Sequence, residues 1–187
     1  MDNSLVIDNS PIVIRSCMPS DVAATVALYR TCFAEPPWFE TFDPEELVCE
    51  FSDMLTWPDI IFLVAKINGE LVGGFVGFDL KRKADIVALL PAQADKHFYF
   101  SELFVAASVR NRHISQTLLK KCFALARERG YAESAVRTSI NQPIIRLIFE
   151  RLDFKIVATQ EVESTKLVDG IRCAMPDQRI ILTGKIP

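Results

Sequence analysis

The stretch Phe104-Val105-Ala106-Ala107-Ser108-Val109-Arg110-Asn111-Arg112-His113-Ile114-Ser115 passes from apolar strand formers through a polar, basic turn into a segment with helical spacing. At such a junction the first backbone amides of the helix have no partner inside it, and they bind anions, phosphate above all. Arg110 and Arg112 stand beside those amides and would add charge-assisted contacts to a pyrophosphate. The competing reading is that both arginines are solvated residues at an ordinary strand-to-helix junction. Neither reading involves a metal. The five cysteines (Cys17, Cys32, Cys49, Cys122, Cys173) are odd in number and far apart, and His97 and His113 are the only histidines. The pattern suits reduced, buried thiols in a cytoplasm, with no zinc site.

The elements that must position this junction follow from the rest of the chain. Its 187 residues are 50% hydrophobic and 24% charged, which suits one globular domain over residues 1–187 and excludes disordered, collagenous and coiled-coil classes. Apolar runs are too short to cross a bilayer, and Met1-Asp2-Asn3-Ser4 has neither a basic leader nor a myristoylation glycine, so a soluble, unprocessed, cytoplasmic protein without membrane contact is expected. Through Asp59 there are 11 acids and 2 bases, and after it 13 acids and 19 bases, so the two parts carry −9 and +6. The bases cluster between His97 and Phe154, where they would serve a compact anionic ligand or simply a solvated helix face. Nucleic acid is disfavoured, because the chain as a whole is acidic and its bases are not interleaved with exposed-looking aromatics in the way a stacking groove requires.

Periodicity gives the element order. Pro11 to Arg15 reads as a strand, and Val22, Val26, Tyr29 and Phe33 recur at helical spacing. Asp43-Pro44-Glu45-Glu46 supplies an N-cap, a first-turn proline and first-turn acids for a second helix burying Leu47, Phe51 and Met54 or Leu55. Two strands flank the Asn68-Gly69 turn, with Gly73, Gly74 and Gly77 in the second marking a bulge or a close approach. Lys81 to Asp95 is a long connection with room for a short helix. Phe98 to Val105 is a strand, and Ile114, Leu118, Cys122 and Leu125 face one side of a helix ending at Gly130. Ala132 to Thr138 is a strand, Ile144, Leu147, Ile148 and Leu152 line a helix, and Phe154 to Val162 and Arg179 to Ile186 are two final strands. The order βααβββαβαββ predicts a mixed α/β fold: about seven strands in a mostly antiparallel mixed sheet, flanked by about four helices.

With this order, the Arg110 junction resembles the acetyl-coenzyme A pyrophosphate loop of the GNAT superfamily of N-acetyltransferases, over nearly the whole chain. The family pattern R/Q-x-x-G-x-G/A falls on Arg110-Asn111-Arg112-His113-Ile114-Ser115, with both glycine positions changed, to His113 and Ser115. Glycine there lets the backbone approach phosphate closely. The His113 imidazole could obstruct the cofactor, point outward, or donate to a phosphate oxygen. A second match, Asn141 through Phe154, resembles the family's N-x-x-x-x-x-L-Y-x-x-L-G-F helix through Asn141, Leu147, Leu152 and Phe154. The usual tyrosine, which protonates the departing thiolate, falls at Phe149, and phenylalanine has no proton to give. Phe33-Ala34-Glu35-Pro36-Pro37-Trp38-Phe39-Glu40 is similar to a P-P-W-x-E segment of some members, in a loop that borders the acceptor site.

The resemblance implies transfer of an acetyl group from acetyl-coenzyme A to an amine of a small molecule or peptide, by direct attack in a ternary complex. It assigns the cofactor to Phe104, Val105, Arg110, Asn111, Arg112, His113, Ile114, Ser115, Asn141 and Phe149, and the acceptor to Phe33, Trp38 and Glu40. A carboxylate near the end of the fourth strand is the natural base, and Glu102 is best placed. Alternation puts Glu102 on one face with Phe100 and Phe104, where apolar surroundings would raise its pKa; a surface glutamate paired with a lysine is the plainer alternative. Backbone amides from Phe104 to Ala106 would stabilise the oxyanion. The rival function is a lapsed GNAT-fold module that binds a ligand or another protein, suggested by His113, Ser115 and Phe149. The resemblance also allows a homodimer through the last two strands.

Overall fold

The computed structural model describes residues 10–36, 38–90, 96–168 and 171–187. Its elements are β1 (Ile12–Ser16), α1 (Val22–Ala34), α2 (Pro44–Met54), β2 (Ile61–Ile67), β3 (Glu70–Asp79), α3 (Ala84–Val87), β4 (Phe98–Val105), α4 (Ile114–Glu128), β5 (Glu133–Ser139), α5 (Pro143–Glu150), β6 (Lys155–Val168) and β7 (Ile171–Lys185). The seven strands form one sheet in the order β1-β2-β3-β4-β5-β7-β6, with β4–β5 as the one parallel pair. The described residues hold five helices, one of them the single-turn α3 in the connection after β3, where the sequence leaves room for a short helix; residues 91–95 of that connection lie outside the described residues.

Local chemistry accounts for most of these boundaries. Asp43 Oδ1 accepts from the Glu45 and Glu46 amides at 2.8 and 3.1 Å, and Pro44 fills the first turn of α2. Asn68 and Gly69 both have positive φ, the backbone that a tight two-residue hairpin turn requires. The sheet separates two apolar layers. One holds Val22, Val26, Tyr29 and Phe33 of α1 with Leu47, Phe51 and Met54 of α2. The other holds Ile114, Leu118 and Cys122 of α4 with Phe149 of α5.

Three expectations are corrected. The β6–β7 hairpin is far longer than Phe154 to Val162 and Arg179 to Ile186, because its added residues pair across the hairpin, with Glu163↔Pro176 and Val168↔Ile171 in register. On α5, Ile144 and Leu147 are 69% and 47% exposed. That helix is turned by Phe149, 2% exposed, whose ring lies 5.6 Å from Phe100 and 5.0 Å from Phe154. Cys17, Cys32 and Cys122 are buried, but Cys49 is exposed and Cys173 half-buried, since α2 turns Cys49 away from the core.

The decisive irregularity is in β4. Val76 pairs with Glu102 and Gly77 with Phe100, so Ser101 is an extra residue, a β-bulge. Gly77 permits the crossing: a Cβ there would lie 2.6 Å from the Phe98 ring. Pairing of β4 with β5 extends only from Phe98↔Ser134 to Phe100↔Val136, and beyond it the two strands separate.

Candidate functional site

The bulge decides which way the candidate base faces. Phe98 and Phe100 lie in the α4/α5 layer, whereas Tyr99 and Phe104 lie in the α1/α2 layer. Alternation without the bulge would put Glu102 with Phe100. The extra residue instead places it with Phe104, where the Tyr29 hydroxyl donates to its Oε2 at 3.3 Å. Simple alternation therefore failed for Phe100 and held for Phe104. Glu102 Oε1 accepts from the Ser101 hydroxyl at 3.3 Å.

Where β4 and β5 separate, a cavity of about 270 Å³ passes through the sheet. Tyr29, Phe33, Trp38, Glu40 and Glu102 line it on the α1/α2 side, and Phe100, Leu119, Val136, Thr138 and Phe149 on the α4/α5 side. Burial in this gap, with a smaller push from the Glu40 charge and against lowering by Lys83 and by the Tyr29 and Ser101 hydrogen bonds, brings the Glu102 carboxyl up to about 7. Burial first, then the Glu102 charge, holds the Tyr29 phenol well above its ordinary value, so it stays a donor.

The acceptor-side residues are fastened by ionic contacts. Arg179 on β7 donates from Nη2 to Glu40 Oε1 and to Ser164 Oγ, both at 2.8 Å, and its Nε lies 2.6 Å from Asp177 Oδ2. Asp177 Oδ1 accepts from Ser139 at 2.8 Å, and the Arg179 guanidinium lies 5.2 Å from the Trp38 ring centroid. The Glu40 backbone also forms an isolated antiparallel β-bridge with Lys166. Of the residues assigned to the acceptor, Phe33 and Trp38 are cavity walls, and Glu40 is one with its Oε1 engaged by Arg179. A further cavity of about 350 Å³ shares Glu40, Phe42, Glu163, Ser164 and Arg179 with the first and adds Asp43, Glu46 and Glu50.

A groove of about 560 Å³ adjoins the central cavity through Phe33, Trp38, Leu103 and Ile145. It brings together Phe104, Val105, Arg110, Asn111, His113, Ile114 and Ser115, with Ile144 and Ile148 as apolar walls. Arg112 does not line it; its Nη2 donates to the Ser10 carbonyl at 3.3 Å. Asn141 does not line it either: it is exposed, and the neighbouring buried Gln142 takes the groove position. Phe149 belongs to the central cavity rather than the groove. His113 caps α4 with φ 59, and Asn111 has φ 66, a left-handed backbone that favours glycine. The same backbone explains why glycine suits this turn. Arg110 Nη2 lies 2.8 Å from Glu35 Oε2.

Sequence reasoning missed Tyr29, Thr138 and Arg179 as site residues. Tyr29 read as one more apolar position of α1, and Arg179 gained its partners only through the unexpected length of β6–β7. Among the described residues no cluster of histidine, cysteine and carboxylate side chains is arranged to hold a metal, and no helix is long and apolar enough to cross a membrane.

Comparison with known proteins adds an independent finding. The family model described as Acetyltransferase (GNAT) family matches residues 24–154. A search of curated proteins found no match. Among solved structures, an N-acetyltransferase from Staphylococcus aureus Mu50 is similar with TM-score 0.72 at 15% identity, covering 95% of this chain and 100% of that one. Ribosomal-protein-alanine N-acetyltransferase from Brucella melitensis gives 0.69 at 17% identity, covering 92% and 99%. YncA from Salmonella typhimurium, with its cofactor acetyl-CoA, gives 0.67 at 14% identity, covering 95% of each chain.

Proposed function

Because the chain belongs to the acetyltransferase (GNAT) family, we propose that it moves an acetyl group from acetyl-coenzyme A to an amine of a small molecule or peptide, by direct attack in a ternary complex. The observation that carries this reading is the cavity through the sheet, with a half-buried carboxylate on one face and the long groove leading to it. Acetyl-coenzyme A, when bound, supplies an activated acetyl thioester. The groove residues fit it. Arg110 and the free first-turn amides of Ile114 to Gln116 suit a pyrophosphate, and Val105, Val109, Ile144 and Ile148 suit the apolar arm.

The chain's own groups then do the work. Glu102 takes the proton of the attacking amine, and its raised pKa near 7 makes it an effective base at neutral pH. Tyr29 orients that carboxylate through Oε2. Backbone N–H groups of β4 on the unpaired side of the gap hold the developing oxyanion. Phe33 and Trp38 exclude water. The walls carry five carboxylates, Glu40, Asp43, Glu46, Glu50 and Glu163, against Arg172 and Arg179, and this acidic excess favours an acceptor that arrives as an ammonium ion.

Calorimetric titration of the full chain with acetyl-coenzyme A, followed by an amine screen for released thiol, tests the reading. Saturable binding at micromolar to low millimolar ligand with turnover of a cationic amine is the expected result. Absence of binding at millimolar ligand would replace it with the lapsed GNAT-fold module.

A further inference from the structure

We propose that the Thr138 hydroxyl donates a hydrogen bond to the sulfur that leaves the acyl carbon, which makes it a catalytic residue of this site. The inference rests on the acetyltransferase reading and assigns a group that the sequence pattern does not. Along β5, Ala135 lies in the α1/α2 layer and Val136 in the α4/α5 layer, so Thr138 faces the α4/α5 side with Val136. Pairing with β4 stops at Phe100↔Val136. Thr138 is therefore the next residue of that face beyond the last pair, on the border of the gap, while Glu102 faces the opposite side.

Thr138 is 2% exposed and lines the central cavity beside Phe149, and its Oγ1 has no hydrogen-bond partner among the described residues. A buried hydroxyl without a partner costs about 1–3 kcal/mol, so a site that retains one has a use for the donor. Ser134 on the same strand also has an unpartnered hydroxyl, but it lines none of the three cavities described. Phe149, the nearest residue to the position of a phenolic acid, is packed between Phe100 and Phe154 and has no polar atom to offer. On this face Thr138 supplies the donor instead.

The step balances with groups already named. The acceptor, arriving as an ammonium ion, first releases one proton to solvent water; the amine nitrogen then forms the new C–N bond, and Glu102 accepts its second proton. The electron pair of the broken C–S bond stays on sulfur, where the Thr138 O–H stabilises it without transferring its own proton. Solvent water then protonates the sulfur and takes the proton held by Glu102. The products are an amide and a free thiol.

The test compares the parent chain with Thr138→Val, which keeps the side-chain shape, and with Thr138→Ser, which keeps the hydroxyl. Ultraviolet titration of the thiol of bound coenzyme A is the first readout: its pKa is expected to be higher in the valine variant by roughly one unit, because a hydrogen bond to a charged group is lost. Turnover of the valine variant should fall by about tenfold to a hundredfold with the acetyl-coenzyme A KM within about twofold, and serine should recover most of it. The valine variant should melt no lower than the parent, since it removes an unpartnered buried hydroxyl. Identical thiol titration and turnover, or a valine variant that melts several degrees lower, would overturn the assignment to Thr138 alone. A parent chain that binds no coenzyme A would overturn the acetyltransferase reading and this assignment together.

Discussion

The acceptor side and the groove side of the cavity are built in opposite ways. On the acceptor side, Arg179 ties together Glu40, Ser164 and Asp177, which come from the α1–α2 loop, β6 and β7, and Tyr29, Phe33 and Trp38 pack ring against ring at 4.4 and 5.4 Å. On the groove side, the loop from Arg110 to His113 is held by an exposed ion pair to Glu35 and contains two non-glycine residues with positive φ. The first arrangement is tied by several short polar contacts, the kind of support that proton transfer and acyl transfer require. The second supplies charge and amides, which tolerate displacement because electrostatic attraction falls off slowly with distance. On the proposed reading, catalysis and affinity thus rest on differently held parts, and His113 and Ser115 belong to the groove side.

The largest effect should follow from Glu102→Gln. Turnover is expected to drop by about 10²–10⁴-fold while coenzyme A affinity holds within about twofold, and the rise of turnover with pH through about 7 should disappear. The same change has a stability signature. The folded-state pKa of Glu102 is raised, so its contribution is fully present below the ordinary value of 4.5 and is lost as pH rises through about 7. Glutamine should accordingly raise the melting temperature at pH 8 and leave it nearly unchanged at pH 4. Turnover equal to the parent across this pH range would remove Glu102 from the chemistry.

Next in size is Arg179→Ala, which leaves the buried carboxylates of Glu40 and Asp177 without their counter-ion. A loss of about 3–5 kcal/mol in denaturant unfolding is expected. A raised acceptor KM with an unchanged coenzyme A dissociation constant should accompany it, as Trp38 and Glu40 lose their anchor. An equal loss of coenzyme A affinity would erase the distinction between the two sides. The smallest effects belong to the loop. His113→Gly removes a left-handed non-glycine residue, with a gain of about 1–2 kcal/mol in stability, and it should tighten coenzyme A if the imidazole crowds the groove. In the same calorimetric series Glu35→Gln frees Arg110 and should tighten coenzyme A by no more than about fivefold, the scale of an exposed pair.

How much of this was legible depended on the range over which the signal acts. The Asp43–Pro44 cap, the Asn68-Gly69 turn and the four apolar positions of α1 are local, and the structure contains each where the residues put it. The strand-to-helix junction at Arg110 was equally local, and most of its residues do meet in one groove. Asn141 and Arg112 escaped because a neighbour one position along, Gln142, and a distant carbonyl, that of Ser10, decide where they sit. The hairpin of β6 and β7 hid behind Thr, Ser, Glu and Lys residues that alternate without an apolar face, so Arg179 had no visible partners. Ser101 was unreadable in a different sense, since a bulge is set by the partner strand and leaves no mark in the strand that contains it.

That bulge makes the active face a matter of counting. Every side chain of β4 after Ser101 stands on the face it does because the strand holds an odd number of extra residues, one. A chain with Ser101 deleted would keep Phe100 opposite Gly77 and Glu102 opposite Val76 as regular neighbours, and because adjacent residues point to opposite faces both would stay where they are. Drawing Ser101 into the ladder would instead shift everything after it by one residue and turn the carboxylate toward α4 and α5. The orientation of the candidate base is therefore stored in how the strand is paired, through the one residue left out of the ladder.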